Sequence, residues 1–164
     1  SAQILLTRGD FTDKRRYKNA FSALEILLSR GAVPIINEND TVAVDELEGN
    51  NFGDNDMLSA IVSTLIDADT LVILTDIDGL YTDNPRTNPD AKHIDVVDEI
   101  TDEIMHMAHG SGSNRGTGGM ATKLNAAKLC LSKGTEMVIA NGAKPSVLYD
   151  IVDGKKIGTR FRCK

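Results

Sequence analysis

A glycine-rich loop holds the residues with the clearest chemical potential in this sequence. It reads Gly116-Thr117-Gly118-Gly119-Met120-Ala121-Thr122-Lys123 and leads into a stretch of helical character. The glycines allow tight turns, so successive N–H groups can converge on an anion. A helix N-terminus adds partial positive charge, and Lys123 adds a full charge. The loop predicts a phosphate site without Walker A spacing, and a surface loop with no ligand is the alternative that this stretch leaves open.

Three more clusters of polar side chains lie where apolar runs begin or end. Residues 37–40 (Asn-Glu-Asn-Asp) and 75–76 (Thr-Asp) each follow an apolar run, and residues 54–56 (Asp-Asn-Asp) precede a helical one. Ligands in open α/β sheets lie outside the carboxyl ends of the strands. A helix cap needs one such side chain, so the surplus at 54–56 favours ligand binding. Taken singly, each cluster is also typical of a turn or a cap.

Four apolar runs and the helical stretches between them define the expected fold. Buried strands are predicted at 4–6, 33–36, 71–74 and 137–140, and helices at 12–30, 57–66, 101–109, 120–133 and 145–152. Shorter strands are expected at 41–46, 94–97 and 158–161. Strands that alternate with helices predict right-handed crossovers and an α/β fold with one mainly parallel sheet.

Composition limits the classes of partner. The 164 residues predict a single domain, and a net charge of −6 with only 4% aromatic residues disfavours nucleic acid and anionic membranes. Two cysteines and three histidines show no metal-ligand or disulfide spacing. We therefore expect a cytoplasmic protein with no metal cluster, no nucleic-acid partner and no membrane partner.

The clusters together predict two ligands and phosphoryl transfer between them. The sequence shows no Ser/His/Asp or Cys/His pair, which disfavours covalent hydrolysis. Phosphoryl transfer needs positioning and positive charge rather than a nucleophilic side chain. We expect a nucleotide against the glycine loop and a small polar substrate against Asn37, Asp40 and Asn55.

Four motifs in this order resemble those of the glutamate 5-kinases, within the amino acid kinase superfamily. They are Ile36-Asn37-Glu38-Asn39-Asp40, Gly53-Asp54-Asn55-Asp56, Leu74-Thr75-Asp76 with Gly79-Leu80-Tyr81, and the glycine loop through Lys123. The resemblance runs from about Gln3 to Phe161. It implies a three-layer αβα sandwich and the ATP-dependent phosphorylation of the L-glutamate γ-carboxylate, the first step of proline biosynthesis.

The resemblance also implies roles for individual residues. Asp40 and Asn55 match glutamate-binding positions, with Asn37, Asp54 and Asp56 in the same pocket. Asp76 matches a catalytic aspartate that organises lysines and the metal nucleotide, and Lys123 matches a catalytic lysine on the phosphates. The implied ATP-binding residues are Thr75, Asp76, Thr117, Gly118, Gly119, Met120, Ala121, Thr122 and Lys123.

Further expectations come from the same resemblance. It implies Mg²⁺ with ATP, feedback inhibition by L-proline and a homo-oligomer, with glutamate bound by about residues 1–67 and ATP by about 68–164. Roughly the first hundred residues of the family domain, including a strand that carries a lysine, find no match before Gln3. We expect this chain alone to be a poor kinase, since one lost preorganised charge typically costs about a hundredfold in rate.

Two alternatives stay open at this point. One is another kinase of the superfamily, acting on acetylglutamate, aspartate, carbamate or a nucleoside monophosphate, although the 37–40 and 53–56 clusters favour glutamate. The other is a non-catalytic module that binds a nucleotide or an amino acid.

Overall fold

The structure is a computed structural model and describes residues 1–42, 55–109 and 119–163. The helices in these ranges are α1 (Gly9–Thr12), α2 (Lys14–Ser29), α3 (Asn55–Leu65), α4 (Asp102–His109), α5 (Met120–Ser132) and α6 (Val147–Val152). The strands are β1 (Ala2–Leu6), β2 (Pro34–Glu38), β3 (Thr70–Thr75), β4 (Leu80–Tyr81), β5 (His93–Ile94), β6 (Val96–Val97), β7 (Glu136–Asn141) and β8 (Thr159–Phe161).

The four main strands and five helices predicted from the sequence are confirmed. The expected edge strand at 94–97 is present as the short strands β5 and β6, and the expected last strand is β8. The predicted strand at 41–46 lies mostly outside the described residues. Helix α1 and strand β4 have no counterpart among the predicted elements.

The strands form separate sheets rather than the single sheet expected. Strands β1 and β2 pair in parallel, and β3 pairs in parallel with β7 in a four-stranded sheet of order β3-β7-β8-β6. Strand β8 runs antiparallel to β7 and parallel to β6, while β4 and β5 form a small antiparallel pair. The fold is α/β with a mixed, largely parallel sheet.

Helices α3 and α5 pack against each other. The main core cluster joins Ala60 of α3 to Ala126, Ala127 and Cys130 of α5. Small side chains at these positions let the two helix backbones approach closely. Helix α5 also packs on β7 and on α4, so it is enclosed from several directions.

Local chemistry sets the limits of helix α2. The Asp13 carboxylate accepts hydrogen bonds from the backbone N–H groups of Arg15 and Arg16, which is the capping that a helix start requires. The helix ends before Gly31, whose φ of +69° lies in the left-handed region that glycine adopts without strain. None of the helices in the described ranges is long and apolar enough to cross a membrane.

One face of the β1–β2 pair is uncovered, which corrects the expectation of fully buried strands. Leu6 and Ile36 pack with side chains of α2 and α3 on one face. Val33 is 67% exposed, Ile35 60% and Leu5 44%, because no described element packs on the opposite face. Parallel sheets are normally covered on both faces.

The main core predicts the effect of one truncation. Phe161 of β8 is fully buried in that cluster, so Phe161→Ala should lower the free energy of unfolding by about 3–5 kcal/mol. Urea denaturation measures this change. Val152→Ala is the control, because Val152 is 85% exposed and should change stability by less than about 0.5 kcal/mol. Equal effects of the two substitutions would contradict the placement of β8.

Candidate active site

The N-terminus of α5 opens into a cleft of about 190 Å³. Gly119 is the N-cap residue and has extended backbone angles, and no acidic residue lies in the first turn of the helix. Gly119, Met120 and Lys123 line the cleft. The partial positive charge of a helix start and one lysine therefore face the same space, which suits an anion.

The end of β3 and the segment after it form the opposite wall. Thr75 and Asp76 line the cleft together with Tyr81, Asn84 and Arg86. Sheet geometry explains this arrangement, since β3 delivers its last residue and the following carboxylate at the carboxyl edge of the sheet. The sequence correctly identified Thr75 and Asp76 as residues at such an edge.

Asp76 and Arg86 form an ion pair on the surface of this wall. Arg86 Nη2 lies 2.7 Å from Asp76 Oδ2, and both side chains are more than two-thirds exposed. The hydrogen bond from Arg86 is the main reason that the pKa of Asp76 lies below its ordinary value of 3.8, and a weaker hydrogen bond from the Thr75 hydroxyl adds to it. Asp76 therefore presents a carboxylate at neutral pH.

A buried threonine fixes the segment between β3 and β4. The Thr159 hydroxyl accepts a hydrogen bond from the Leu80 N–H at 2.7 Å and donates to the Ile94 carbonyl at 2.6 Å. A Cβ on Gly79 would lie 2.6 Å from the Thr159 hydroxyl oxygen, so this close approach requires glycine. Tyr81 is thereby held at the cleft, where burial and then its hydrogen bond to Asp78 raise the pKa of its phenol.

A largely buried ion pair links α5 to α3. Lys123 Nζ lies 3.0 Å from Asp56 Oδ2, and the two side chains are only 9% and 12% exposed. The Thr122 hydroxyl lies 3.0 Å from the same carboxylate oxygen and 2.7 Å from the Gly119 carbonyl oxygen, and its one proton can be donated to either acceptor. A buried ion pair is retained only where hydrogen bonds compensate the lost hydration. Asp56 thus holds the ammonium group of Lys123 at the edge of the cleft.

The structure separates two residues that the sequence had grouped together. Asn55 and Asp56 are neighbours at the start of α3, and successive helical residues point about 100° apart. Asn55 lines a groove between β2 and β3, together with Asn37. Asp56 faces α5 instead. The resemblance implied that Asp76 organises lysine side chains. In the structure, Asp56 contacts Lys123 and Asp76 contacts Arg86.

The other residues that the sequence predicted for the site lie in different places. Asp40 is exposed and lies two residues beyond the end of β2. Ala121 packs against the main core rather than lining the cleft. Asp54, Thr117 and Gly118 lie outside the described residues. Across the described ranges, no three His, Cys, Asp or Glu side chains cluster in a way that would hold a metal ion.

The sequence had assigned no role to Arg86, Asn84 or Met107, which also line the cleft. One feature of the sequence could have identified Arg86 as part of an anion site. It is the only basic residue in the polar stretch 82–90, which follows the Thr75-Asp76 strand end. Met107 carried no comparable signal, because its position depends on how α4 packs against α5.

Comparison with known proteins gives a consistent result. Residues 1–141 match the model of the amino acid kinase family. The chain is 54% identical over 164 residues to the glutamate 5-kinase of Clostridium perfringens, covering 99% of this chain and 61% of that protein. It is 56% identical over 161 residues to the glutamate 5-kinase of Neisseria meningitidis, covering 98% of this chain and 43% of that protein.

Solved structures give the same fold. The UMP kinase of Bacillus anthracis superposes with a TM-score of 0.62 at 17% identity, covering 87% of this chain and 50% of that chain. At this identity the likeness concerns the fold alone. The chain thus spans about half of the related structure, and between about two-fifths and three-fifths of the two curated relatives described.

The Asp76–Arg86 pair generates a prediction about titration. In Arg86→Ala, the pKa of Asp76 should rise towards 3.8 because the main stabilising hydrogen bond to the carboxylate is lost. A ¹³C NMR titration of the Asp76 carboxyl carbon measures the change. Arg86→Lys should retain part of the lowered pKa, since it keeps the positive charge. An unchanged pKa in Arg86→Ala would contradict this pair.

Proposed function

The chain belongs to the amino acid kinase family, and we propose that it supplies the ATP site and part of the substrate site of an enzyme that phosphorylates the γ-carboxylate of L-glutamate. The product is L-glutamyl 5-phosphate, the first intermediate of proline biosynthesis. Support comes from curated relatives named glutamate 5-kinase at 54–56% identity. The observation that carries the proposal is the Lys123–Asp56 pair, because it puts a fixed positive charge between the cleft and the start of α3.

In this proposal the cleft at the start of α5 binds the phosphates of ATP. Gly119 and Met120 offer the N-terminal end of the helix, and Lys123 and Arg86 supply full positive charges along the same cleft. Thr75 lies at its other wall. Backbone N–H groups and cationic side chains are the usual partners of phosphate oxygens.

The glutamate would lie on the other side of the Lys123–Asp56 pair. Asn37 and Asn55 line one groove, and their amide N–H groups can donate hydrogen bonds to the α-carboxylate of the substrate. Asp40 can accept from the α-ammonium group. Asn55 directly precedes Asp56 in α3, so substrate and nucleotide residues are only one position apart in the chain.

The transfer itself needs little covalent chemistry from the protein. A γ-carboxylate oxygen of glutamate attacks the γ-phosphorus of ATP, the bond from that phosphorus to the bridging oxygen breaks, and ADP leaves. Negative charge grows on the bridging oxygen and spreads over the phosphoryl oxygens in the transition state. Lys123 can neutralise this charge, and Asp56 and Thr122 hold that region in place so that little reorganisation is needed.

Mg²⁺ would enter with ATP and would supply positive charge beside its phosphates. Magnesium is usually held by one or two carboxylates in addition to phosphate oxygens. Asp76 fits this requirement, since its carboxylate is exposed at the cleft and its pKa lies below the ordinary value.

The remaining parts of the proposal follow from the family resemblance. They are a glutamate-binding part at about residues 1–67, an ATP-binding part at about 68–164, feedback inhibition by L-proline and a homo-oligomer. A cytoplasmic location is proposed on the composition and the cysteine spacing instead.

Substitutions at the two sites should separate the two ligands. Lys123→Met should weaken MgATP binding by about tenfold or more, because one charged hydrogen bond to a phosphate is worth roughly 1.5–3 kcal/mol. It should leave glutamate affinity within about twofold, and Asp40→Ala should show the reverse pattern. Isothermal titration calorimetry on the 164-residue chain measures both ligands.

A stability control belongs with this experiment. Lys123→Met leaves Asp56 buried without its lysine, so thermal unfolding must show that the variant is folded at the titration temperature. Lys123→Arg keeps the charge and should bind MgATP more tightly than Lys123→Met. The proposal would be contradicted if folded Lys123→Met and folded Asp40→Ala each lost affinity equally for MgATP and for glutamate. It would also be contradicted if the unsubstituted chain did not bind MgATP.

A further inference from the structure

His93 of β5 lies next to one wall of the cleft at the start of α5. It pairs with Tyr81 in the antiparallel β4–β5 ladder. The two rings meet edge to face, with their centroids 5.1 Å apart and their planes at 79°. Tyr81 lines the cleft, whereas His93 is not one of its lining residues. His93 is therefore a direct neighbour of a cleft residue without facing the cleft itself.

Both ring nitrogens of His93 face oxygen atoms that accept hydrogen bonds but cannot donate them at neutral pH. Nδ1 lies 2.8 Å from Asp95 Oδ1, and Nε2 lies 3.4 Å from the Asp78 carbonyl oxygen. The second contact is longer than the usual distance of about 2.7–3.2 Å, so it is the weaker of the two. A neutral imidazole has one donor and one acceptor nitrogen, so in either tautomer a lone pair would face an oxygen. The doubly protonated ring donates from both nitrogens and satisfies both contacts.

The ionisable side chains around His93 are mostly acidic. Among the described residues packed against its ring, they are those of Asp78, Tyr81 and Asp95. Lys92, the preceding residue, is exposed. Arg160 of β8 donates a backbone hydrogen bond to the Asp95 carbonyl but directs its guanidinium group to Glu136. An opposite charge close by favours the charged form of an ionisable group, so these surroundings favour a proton on His93.

Close packing keeps the ring in contact with the turn that precedes β4. The His93 side chain is 27% exposed, and a Cβ on Gly79 would overlap its Nε2 atom. Asp78 connects this contact to Tyr81, because its carboxylate accepts a hydrogen bond from the Tyr81 hydroxyl at 2.9 Å. Tyr81 is thus held at its ring by His93 and at its hydroxyl by Asp78. Loss of the proton on His93 would place two acceptors opposite each other and weaken this arrangement.

We propose that protonated His93 positions Tyr81 at the cleft, and that loss of this proton weakens nucleotide binding there. His93 is a positioning residue, because it reaches the nucleotide site through Tyr81 and Asp78. The arrangement is complete at lower pH, where the ring donates both hydrogen bonds, and it is lost as the pH rises. Histidine changes its charge between about pH 5 and pH 8, so the effect falls in this range. The nucleotide part of the inference rests on the kinase proposal, whereas the positioning of Tyr81 does not.

NMR of the 164-residue chain without nucleotide tests the positioning of Tyr81. The edge-to-face contact brings ring protons of Tyr81 and His93 close enough for nuclear Overhauser effects. We expect these signals to be strong at about pH 6 and weaker at about pH 8, since most of the ring charge is lost between these values.

Calorimetric titration with MgATP at the same two pH values measures the consequence for binding. Relative to His93→Gln, the unsubstituted chain should bind MgATP at least about threefold more tightly at the lower pH, which is the scale of one net hydrogen bond. His93→Gln carries no titrating ring and should lose this dependence. The nucleotide's own titration is the same for both proteins and cancels in the comparison.

Two further variants assign the effect to His93. His106→Gln removes a different histidine, which is exposed on α4, and should keep the pH dependence of the unsubstituted chain. Asp95→Asn keeps an acceptor oxygen but removes the negative charge, so MgATP affinity should fall at lower pH values than in the unsubstituted chain. Thermal unfolding at both pH values identifies any variant that is not folded. Asp95 is 71% exposed, so Asp95→Asn keeps the test usable if His93→Gln does not fold.

Three results would overturn the inference. The first is a contact between the Tyr81 and His93 rings that does not change between the two pH values. The second is a pH dependence of MgATP binding that is the same in His93→Gln and in the unsubstituted chain. The third is a pH dependence that disappears in His106→Gln. If the unsubstituted chain bound no MgATP, the kinase proposal would fail, and the NMR comparison would decide on its own whether protonated His93 positions Tyr81.

Discussion

The ion pair between Asp56 and Lys123 is the constraint on which the arrangement of the site depends. It buries two charges at the junction of α3 and α5, and it can be stable only if both helices keep their positions. Removal of one partner from such a pair typically costs about 3–5 kcal/mol, because the other charge stays buried. The packing of Ala60 against the small side chains of α5 holds the helices at the distance that the pair requires.

This pair also indicates how the two proposed ligand sites could share one helix. Helix α3 presents Asn55 to the groove between β2 and β3 and Asp56 to α5. The main core includes Ala60 of α3 together with residues of α5, β7 and β8, so a boundary near residue 67 does not divide the core. The proposed glutamate and ATP parts are therefore two binding regions of one packed unit. A movement of α3 would therefore change the geometry of both binding regions.

Much of the fold could be predicted from the sequence because the signals were local. Apolar runs predicted the four main strands. Helical periodicity, with glycines after the last turns, predicted the helices. The positions of Thr75 and Asp76 at a strand end, and of Lys123 near a helix start, could be predicted because a few neighbouring residues indicate each feature. Each of these features depends on local backbone geometry that short sequence patterns report.

Long-range packing could not be predicted in the same way. Asp56 and Lys123 are 67 residues apart, and their contact depends on how α3 and α5 pack. The sequence grouped Asp56 with Asn55 because they are adjacent, although a helix turns neighbours about 100° apart. Ile35 and Val33 looked like buried strand residues, but burial depends on which elements cover a sheet face, and an apolar run does not reveal that.

The start of α5 and Lys123 are proposed to hold the phosphates of ATP. A crystal structure of the 164-residue chain with a non-hydrolysable MgATP analogue tests it most directly. We predict that phosphate oxygens lie against the N–H groups at the start of α5 and within about 3 Å of Lys123 Nζ, the distance of a charged hydrogen bond. A nucleotide bound elsewhere, with Lys123 contacting only Asp56 and Thr122, would contradict the claim.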